Sequence, residues 1–138
     1  LANTKICKIL IPKSVGLCDV ATFKNCVNLT SIVFEDGGDV PLYVGGDLWL
    51  ENTQVTILVL PFKTYRIRGY WRRGSNLNTL YVKSTIPPIL EHGWGDNPDT
   101  CDLYVPIGCK EVYASATNWG SFRTITEYDF DLNPNNVH

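Results

Sequence analysis

Six short segments of similar pattern recur along this 138-residue chain, and their spacing limits the folds that it can adopt. Each segment carries an apolar pivot residue among alternating positions. The pivots are Ile9, Ile32, Leu58, Leu80, Leu103 and Ile125. Successive pivots are 23, 26, 22, 23 and 22 residues apart. Units repeated at such a period stack on their neighbours, because one unit alone cannot bury its apolar face.

The alternation within each segment predicts a short β-strand. Residues two apart in a strand point to the same side of a sheet, so each pivot faces inward together with the residue two positions later. Ile32 with Phe34 and Leu80 with Val82 are examples. Burial of each such side chain contributes roughly 1.5–3 kcal/mol, before the entropy cost of ordering is subtracted.

A period in the twenties with L-x-x-L-x-L cores is typical of a leucine-rich repeat solenoid. We therefore predict a β-rich α/β fold: a right-handed solenoid with about five to six short parallel strands on its concave side. The convex side is expected to hold turns, small strands or helical turns. One large aromatic recurs at a fixed phase in four repeats. These residues are Phe23, Trp49, Trp71 and Trp94. We interpret them as core-filling side chains, with a sugar-stacking platform as the alternative.

The last part of the chain predicts a cap on the stack. Val112, Tyr113 and Ala116 have helical spacing, which indicates a short helix over about 109–116. Trp119 and Phe122 are expected to close the core behind it. We divide the chain into a solenoid over residues 1–127, with the cap at about 103–127, and a polar tail over 128–138.

Two stretches of this chain resemble the BspA-like leucine-rich repeat family of bacterial surface proteins. The repeat pattern is matched by Pro12, Ser14, Val15, Phe23, Cys26, Leu29 and Ile32. The closing pattern is matched by Leu103, Tyr104, Val105, Pro106, Gly108, Tyr113, Ala116, Trp119, Phe122, Ile125 and Glu127. The resemblance implies a bacterial cell-surface or secreted adhesion module that binds a host, neighbouring-cell or matrix protein without catalysing a reaction.

The residues just after the pivots are predicted to point outward across the concave sheet. The candidate partner-binding row is Leu10, Val33, Val59, Tyr81 and Tyr104. Exposed apolar patches often mark interaction sites, and tyrosine is favoured at interfaces. The alternative is that a loop, the tail or a neighbouring molecule covers this row, or that the row serves only strand pairing.

A basic cluster gives a second candidate site. The possible anionic-ligand patch is Arg66, Arg68, Arg72 and Arg73. Tyrosine and tryptophan side chains interleave with these arginines. This mixture is compatible with binding an anionic glycan, as an alternative carbohydrate-binding function, or an acidic patch on a protein. The arginines could equally pair within the molecule, neutralising the acidic second repeat.

Composition and motifs argue against several other classes of protein. A net charge of −2 provides no strong field for nucleic acid, and no stretch reaches the ~20 apolar residues of a membrane span. The sequence lacks the common catalytic motifs, so we expect no catalytic residues, no enzyme activity and no cofactor. The five cysteines lack C-x-x-C spacing, so we expect buried thiols and no metal site.

Overall fold

The computed structural model describes residues 5–19, 23–46, 50–68, 73–91, 93–94 and 98–132. Over these residues the chain forms a β-rich solenoid of about five turns, with parallel sheets and one short α-helix. In chain order the elements are β1 (Lys8–Ile11), β2 (Leu17–Asp19), β3 (Ser31–Phe34), β4 (Leu42–Gly45), β5 (Ile57–Leu60), β6 (Thr64–Arg68), β7 (Thr79–Val82), β8 (Ile89–Glu91), a 3-10 turn (Pro98–Thr100), β9 (Asp102–Pro106), α1 (Lys110–Ser115) and β10 (Thr124–Tyr128).

Six of these strands, which we call the front strands, coincide with the six predicted segments. They are β1, β3, β5, β7, β9 and β10. Ile9 lies opposite Ile32. The pivots of the last four front strands, Leu58 to Ile125, form one continuous row. All of these pairings are parallel, so the predicted stacking register is confirmed.

The front strands do not form the single sheet that we predicted. The described residues show a two-stranded sheet of β1 and β3, and a four-stranded sheet in the order β5-β7-β9-β10. Gln54 N still donates a hydrogen bond of 2.7 Å to Leu29 O across this gap. The longest pivot spacing, 26 residues, falls between β3 and β5.

The other side of the solenoid is more regular than the sequence predicts. Strands β2, β4, β6 and β8 form a second parallel sheet, which we call the back sheet. A register irregularity lies between β4 and β6, at Leu42 and Tyr43. The inward side chains Val44 and Ile67 are fully buried and join the buried residues of the front strands in one core.

Most of the predicted core residues are buried. The inward pairs of β3, β5, β7 and β9 are all at most 4% exposed. Phe23 and Trp94 are buried as expected, whereas Trp49 and Trp71 lie outside the described residues. Four cysteines are buried, but Cys7 is exposed, which corrects the expectation for that residue. It lies just before β1, in the first described turn, where the pivot Ile9 is itself only partly buried.

The predicted cap is present at the far end of the stack. The helix α1 spans Lys110–Ser115, one residue shorter at each end than predicted. Tyr113 Oη donates to Ser84 O at 2.6 Å, and Trp119 Nε1 donates to Pro88 O at 2.9 Å. These bonds join the cap to the turn before it. Among the described residues, no helical segment has the length and hydropathy needed to cross a membrane.

Candidate functional site

The predicted partner-binding row lies on the outward side of the front strands, which we call the front face. Val59, Tyr81 and Tyr104 are in register on β5, β7 and β9, and Leu10 lies opposite Val33 on β1 and β3. The break between β3 and β5 divides the row into these two groups. Leu10 is 57% exposed, and the other four side chains are partly buried.

Tyr81 and Tyr104 form the centre of the front face. Their ring centroids are 4.6 Å apart and the rings are inclined by 15°, so the two side chains stack. This distance follows from the register, because neighbouring strands in a sheet lie about 4.8 Å apart. Burial raises the pKa of the Tyr81 hydroxyl, and the neighbouring Tyr104 and Tyr128 add to this effect. Tyr81 therefore stays neutral at ordinary pH, and the two stacked rings form a largely apolar surface.

The chain after β9 covers part of this tyrosine pair. Tyr128, the last residue of β10, packs edge-to-face against both tyrosines. Its ring centroid lies 5.3 Å from that of Tyr81 and 6.0 Å from that of Tyr104. Phe130 meets Tyr81 edge-on at 6.2 Å. Two residues of the predicted tail, Tyr128 and Phe130, thus lie against the front face. The alternative that the tail covers the row is observed at these two tyrosines.

A groove of about 710 Å³ continues beyond the tail along the carboxyl ends of the front strands. Its lining includes Asp36, Phe62, Lys83, Ile107 and Phe130. Lys83 forms an ion pair with Asp36, and its Nζ atom lies 5.8 Å from the centre of the Phe130 ring. The groove therefore combines aromatic walls with one lysine, which is mostly buried.

A hydrogen-bonded ion pair joins the last two front strands beside the tyrosines. Arg123 Nε and Nη2 each donate a bond of 2.8 Å to the Asp102 carboxylate, and Thr124 Oγ1 donates another of 2.8 Å. The bonds from Arg123, followed by that from Thr124, lower the pKa of Asp102 from 3.8 to about 2. A bidentate arginine pair has a more favourable geometry than most surface ion pairs.

This pair predicts a pH-dependent contribution to stability. The folded-state pKa of Asp102 is depressed, so its contribution is present above 3.8 and is lost as the pH falls through about 2. Because Arg123 is exposed and the pair is screened by solvent, we expect Asp102→Asn to cost about 1 kcal/mol at pH 7. The free energy of unfolding of the wild type and of Asp102→Asn should be measured by urea titration at pH 7 and near pH 2. The difference between the two proteins should be smaller at the lower pH. The exposed Asp131→Asn provides the control, and a loss independent of pH would contradict the assignment.

The four arginines of the predicted anionic-ligand patch are not all available to a ligand. Arg66 Nη2 lies 3.0 Å from Glu91 Oε1, and its guanidinium lies 5.7 Å from the centre of the Tyr43 ring. Arg68 and Arg73 are exposed, and Arg72 lies outside the described residues. Intramolecular pairing, the alternative raised from the sequence, is therefore observed for Arg66. Its partner is in the following turn, not in the acidic second repeat.

Tyr43 completes this polar cluster on the back sheet. Its hydroxyl donates a bond of 2.6 Å to Glu91 Oε2. This bond is the largest cause that lowers the pKa of Glu91 and raises the pKa of Tyr43. The arginine, the carboxylate and the phenol therefore hold one another across β4, β6 and β8. The cluster is a structural link with its main charges paired.

Trp94 does not provide the sugar-stacking platform considered above. It is buried, with edge-to-face contacts of 5.0 Å to both Trp119 and Phe122. Its Nε1 atom donates a hydrogen bond to Asn118 O. The ring is therefore part of the cap, because its faces and its donor are used inside the protein.

A second apolar groove, of about 600 Å³, was not found from the sequence. Its lining includes Phe62, Tyr65, Ile86, Pro87 and Ile89. Four of these side chains are exposed large hydrophobic groups. They come from turns and from the outer side of the back sheet, where the repeat pattern carries no fixed apolar position. The only indication of this groove in the sequence is that Phe62, Ile86 and Ile89 are large apolar residues outside the positions that the repeat pattern turns inward.

Within the described residues, no group of three or more His, Cys, Asp or Glu side chains is placed to bind a metal. No protein-family model matches the sequence, and no curated protein matches it either.

Proposed function

We propose that this chain is a non-enzymatic protein-binding module that docks its partner on the front face. The observation that carries the proposal is the stacked pair Tyr81 and Tyr104 at the centre of that face. Large, rigid aromatic side chains contribute strongly to protein interfaces at low entropic cost. Here they are held in place by the parallel register of β7 and β9.

Exposed aliphatic side chains extend this surface on the other front strands. Leu10 is 57% exposed and Ile57 is 52% exposed, both on the outward side of their strands. Val33 and Val59 lie between Leu10 and the tyrosines in sequence order and are partly buried. Apolar side chains that remain exposed in this arrangement favour a protein partner, because burial against its surface removes them from water.

The same proposal includes the class of protein. Pivots spaced by 22 to 26 residues, with strands in parallel register, support a right-handed leucine-rich repeat with the front strands on its concave side. The matched residues of the repeat and of the cap support membership of the BspA-like group. On that basis we place the chain in a bacterial cell-surface or secreted protein that adheres to a host, neighbouring-cell or matrix protein.

Carbohydrate binding is the second candidate, supported by one feature of the back sheet. Tyr65 is 46% exposed on β6, the strand that also carries the exposed Arg68. An exposed aromatic ring on a strand that also carries an exposed cation suits an anionic sugar. Its partner would then dock on the side opposite the tyrosine pair, so a variant on each side separates the two functions.

The test is a binding screen against surface and matrix proteins and a glycan array, using matched variants. We expect the double variant Tyr81→Ala, Tyr104→Ala to lose at least about tenfold in affinity for the protein partner, because loss of two interface anchors removes more than 1.4 kcal/mol. Tyr65→Ala should bind that partner normally. Loss of a glycan ligand in Tyr65→Ala alone would favour the second candidate, and equal binding by all variants would remove the front-face proposal.

A further inference from the structure

The chain after β10 turns back across the front strands and places one aromatic side chain beside Lys83. The Phe130 ring lies 5.0 Å from Tyr128 and 6.2 Å from Tyr81, in edge-to-face geometry with both. Lys83 Nζ lies 5.8 Å from the centre of the same ring. These are the arrangements in which rings attract one another and attract a cation. The front face therefore already holds an aromatic group of its own chain.

The segment that carries Phe130 has internal order of its own. Asp129 Oδ1 accepts bonds from Asp131 N at 3.0 Å and from Leu132 N at 3.1 Å. These hydrogen bonds are internal to the segment, so they need not break when it lifts from the sheet. Leu132 is 79% exposed at its end. A competing side chain would have to replace the ring contacts that Phe130 makes with Tyr81 and Lys83.

The groove ahead of Phe130 is large enough for more than one side chain. Its volume of about 710 Å³ lies within the range of ligand-binding pockets. It extends past Lys83 to Phe62 and Asp36, at the carboxyl ends of β5 and β3. A peptide lying there would cross the front strands in line with the tail. The tail thus fills one end of a longer groove.

We propose that this groove binds an extended segment of the partner that carries an aromatic residue, and that Phe130 occupies the aromatic position until the partner displaces it. The inference rests on the proposed function and specifies the chemistry of its ligand. The tail itself shows this arrangement, because its Phe130 ring lies 6.2 Å from the Tyr81 ring and 5.8 Å from Lys83 Nζ. Lys83 is already paired with Asp36, so the ring contacts determine what the partner must present.

The tail acts in this arrangement as an internal competitor. A partner binds only the fraction of molecules in which Phe130 has left its position, so the apparent dissociation constant rises as that fraction falls. If the tail occupies the position for nine-tenths of the time, removal of the ring should tighten binding about tenfold. The effect requires no change elsewhere in the solenoid.

The test uses the full chain and the acetylated, amidated pentapeptide Tyr-Asp-Phe-Asp-Leu as the probe. Its dissociation constant is measured by titration for the wild type, Phe130→Ala and Leu132→Ala, with circular dichroism to verify folding. We expect Phe130→Ala to bind about tenfold more tightly than the wild type, and Leu132→Ala to match the wild type. Adding Tyr81→Ala to Phe130→Ala should abolish the gain, and a peptide with alanine in place of phenylalanine should not bind.

Equal constants for the wild type and Phe130→Ala would overturn the proposal, as would absence of binding to Phe130→Ala. A second measurement tests directly whether Phe130 covers Tyr81. Nitration of Tyr81 should be several-fold faster in Phe130→Ala than in Leu132→Ala. Equal rates would also overturn the proposal. A protein partner that is lost in the double tyrosine variant, yet binds the wild type and Phe130→Ala equally, would support the proposed function while rejecting the role of Phe130.

Discussion

Replacement of Trp119 by alanine is expected to destabilise the protein by about 3–5 kcal/mol, as for other large buried aromatic residues. Trp119 is only 1% exposed and contacts the rings of Trp94, Tyr113 and Phe122. Its removal leaves a cavity at the end of the core and deprives Pro88 O of its donor. The free energy of unfolding should be measured by urea titration followed by circular dichroism.

Val112→Ala is the matched control for this prediction. Val112 lies on α1, one residue from the buried Tyr113, but its side chain is exposed. We expect it to change the free energy of unfolding by no more than about 0.5 kcal/mol. Similar small losses in both variants would mean that the cap does not close the core in solution.

Replacement by alanine at two adjacent residues of β5 should reduce the free energy of unfolding by very different amounts. Leu58 is 1% exposed and faces the core, whereas Ile57 is 52% exposed on the front face. We expect Leu58→Ala to cost about 2–5 kcal/mol and Ile57→Ala less than about 1 kcal/mol. The measurement is again urea unfolding at pH 7, on both variants under identical conditions.

This comparison tests the register of the solenoid. A slip of one residue would turn every inward side chain of the strand outward. Equal losses at the two positions, or a larger loss at Ile57, would therefore contradict the arrangement in which Leu58 lies opposite Leu80. Strand propensity alone would make the replacement of the β-branched Ile57 the costlier of the two, so a larger loss at Leu58 reflects burial.

The amino-acid pattern was sufficient to predict the stack of turns. The spacing of the pivots and the alternation around them placed six strands, and the parallel pairing of Ile9 with Ile32 and of Leu80 with Leu103 agrees with that prediction. The cap was predictable for the same reason. These features depend on which apolar side chains are buried within one turn of the solenoid and against the next turn. Short stretches of sequence carry that information.

The sheet break, the back sheet and the covered tyrosines were not predictable in this way. Residue alternation fixed which side of a strand Tyr81 occupies, but the position of Phe130 over it depends on how the chain turns after β10. The pairing of Arg66 with Glu91 similarly depends on the register between β6 and β8. The candidate row could thus be predicted, but its accessibility could not. Contacts between side chains 25 or more residues apart are set by the paths of the turns between strands, and the repeat pattern does not specify those paths.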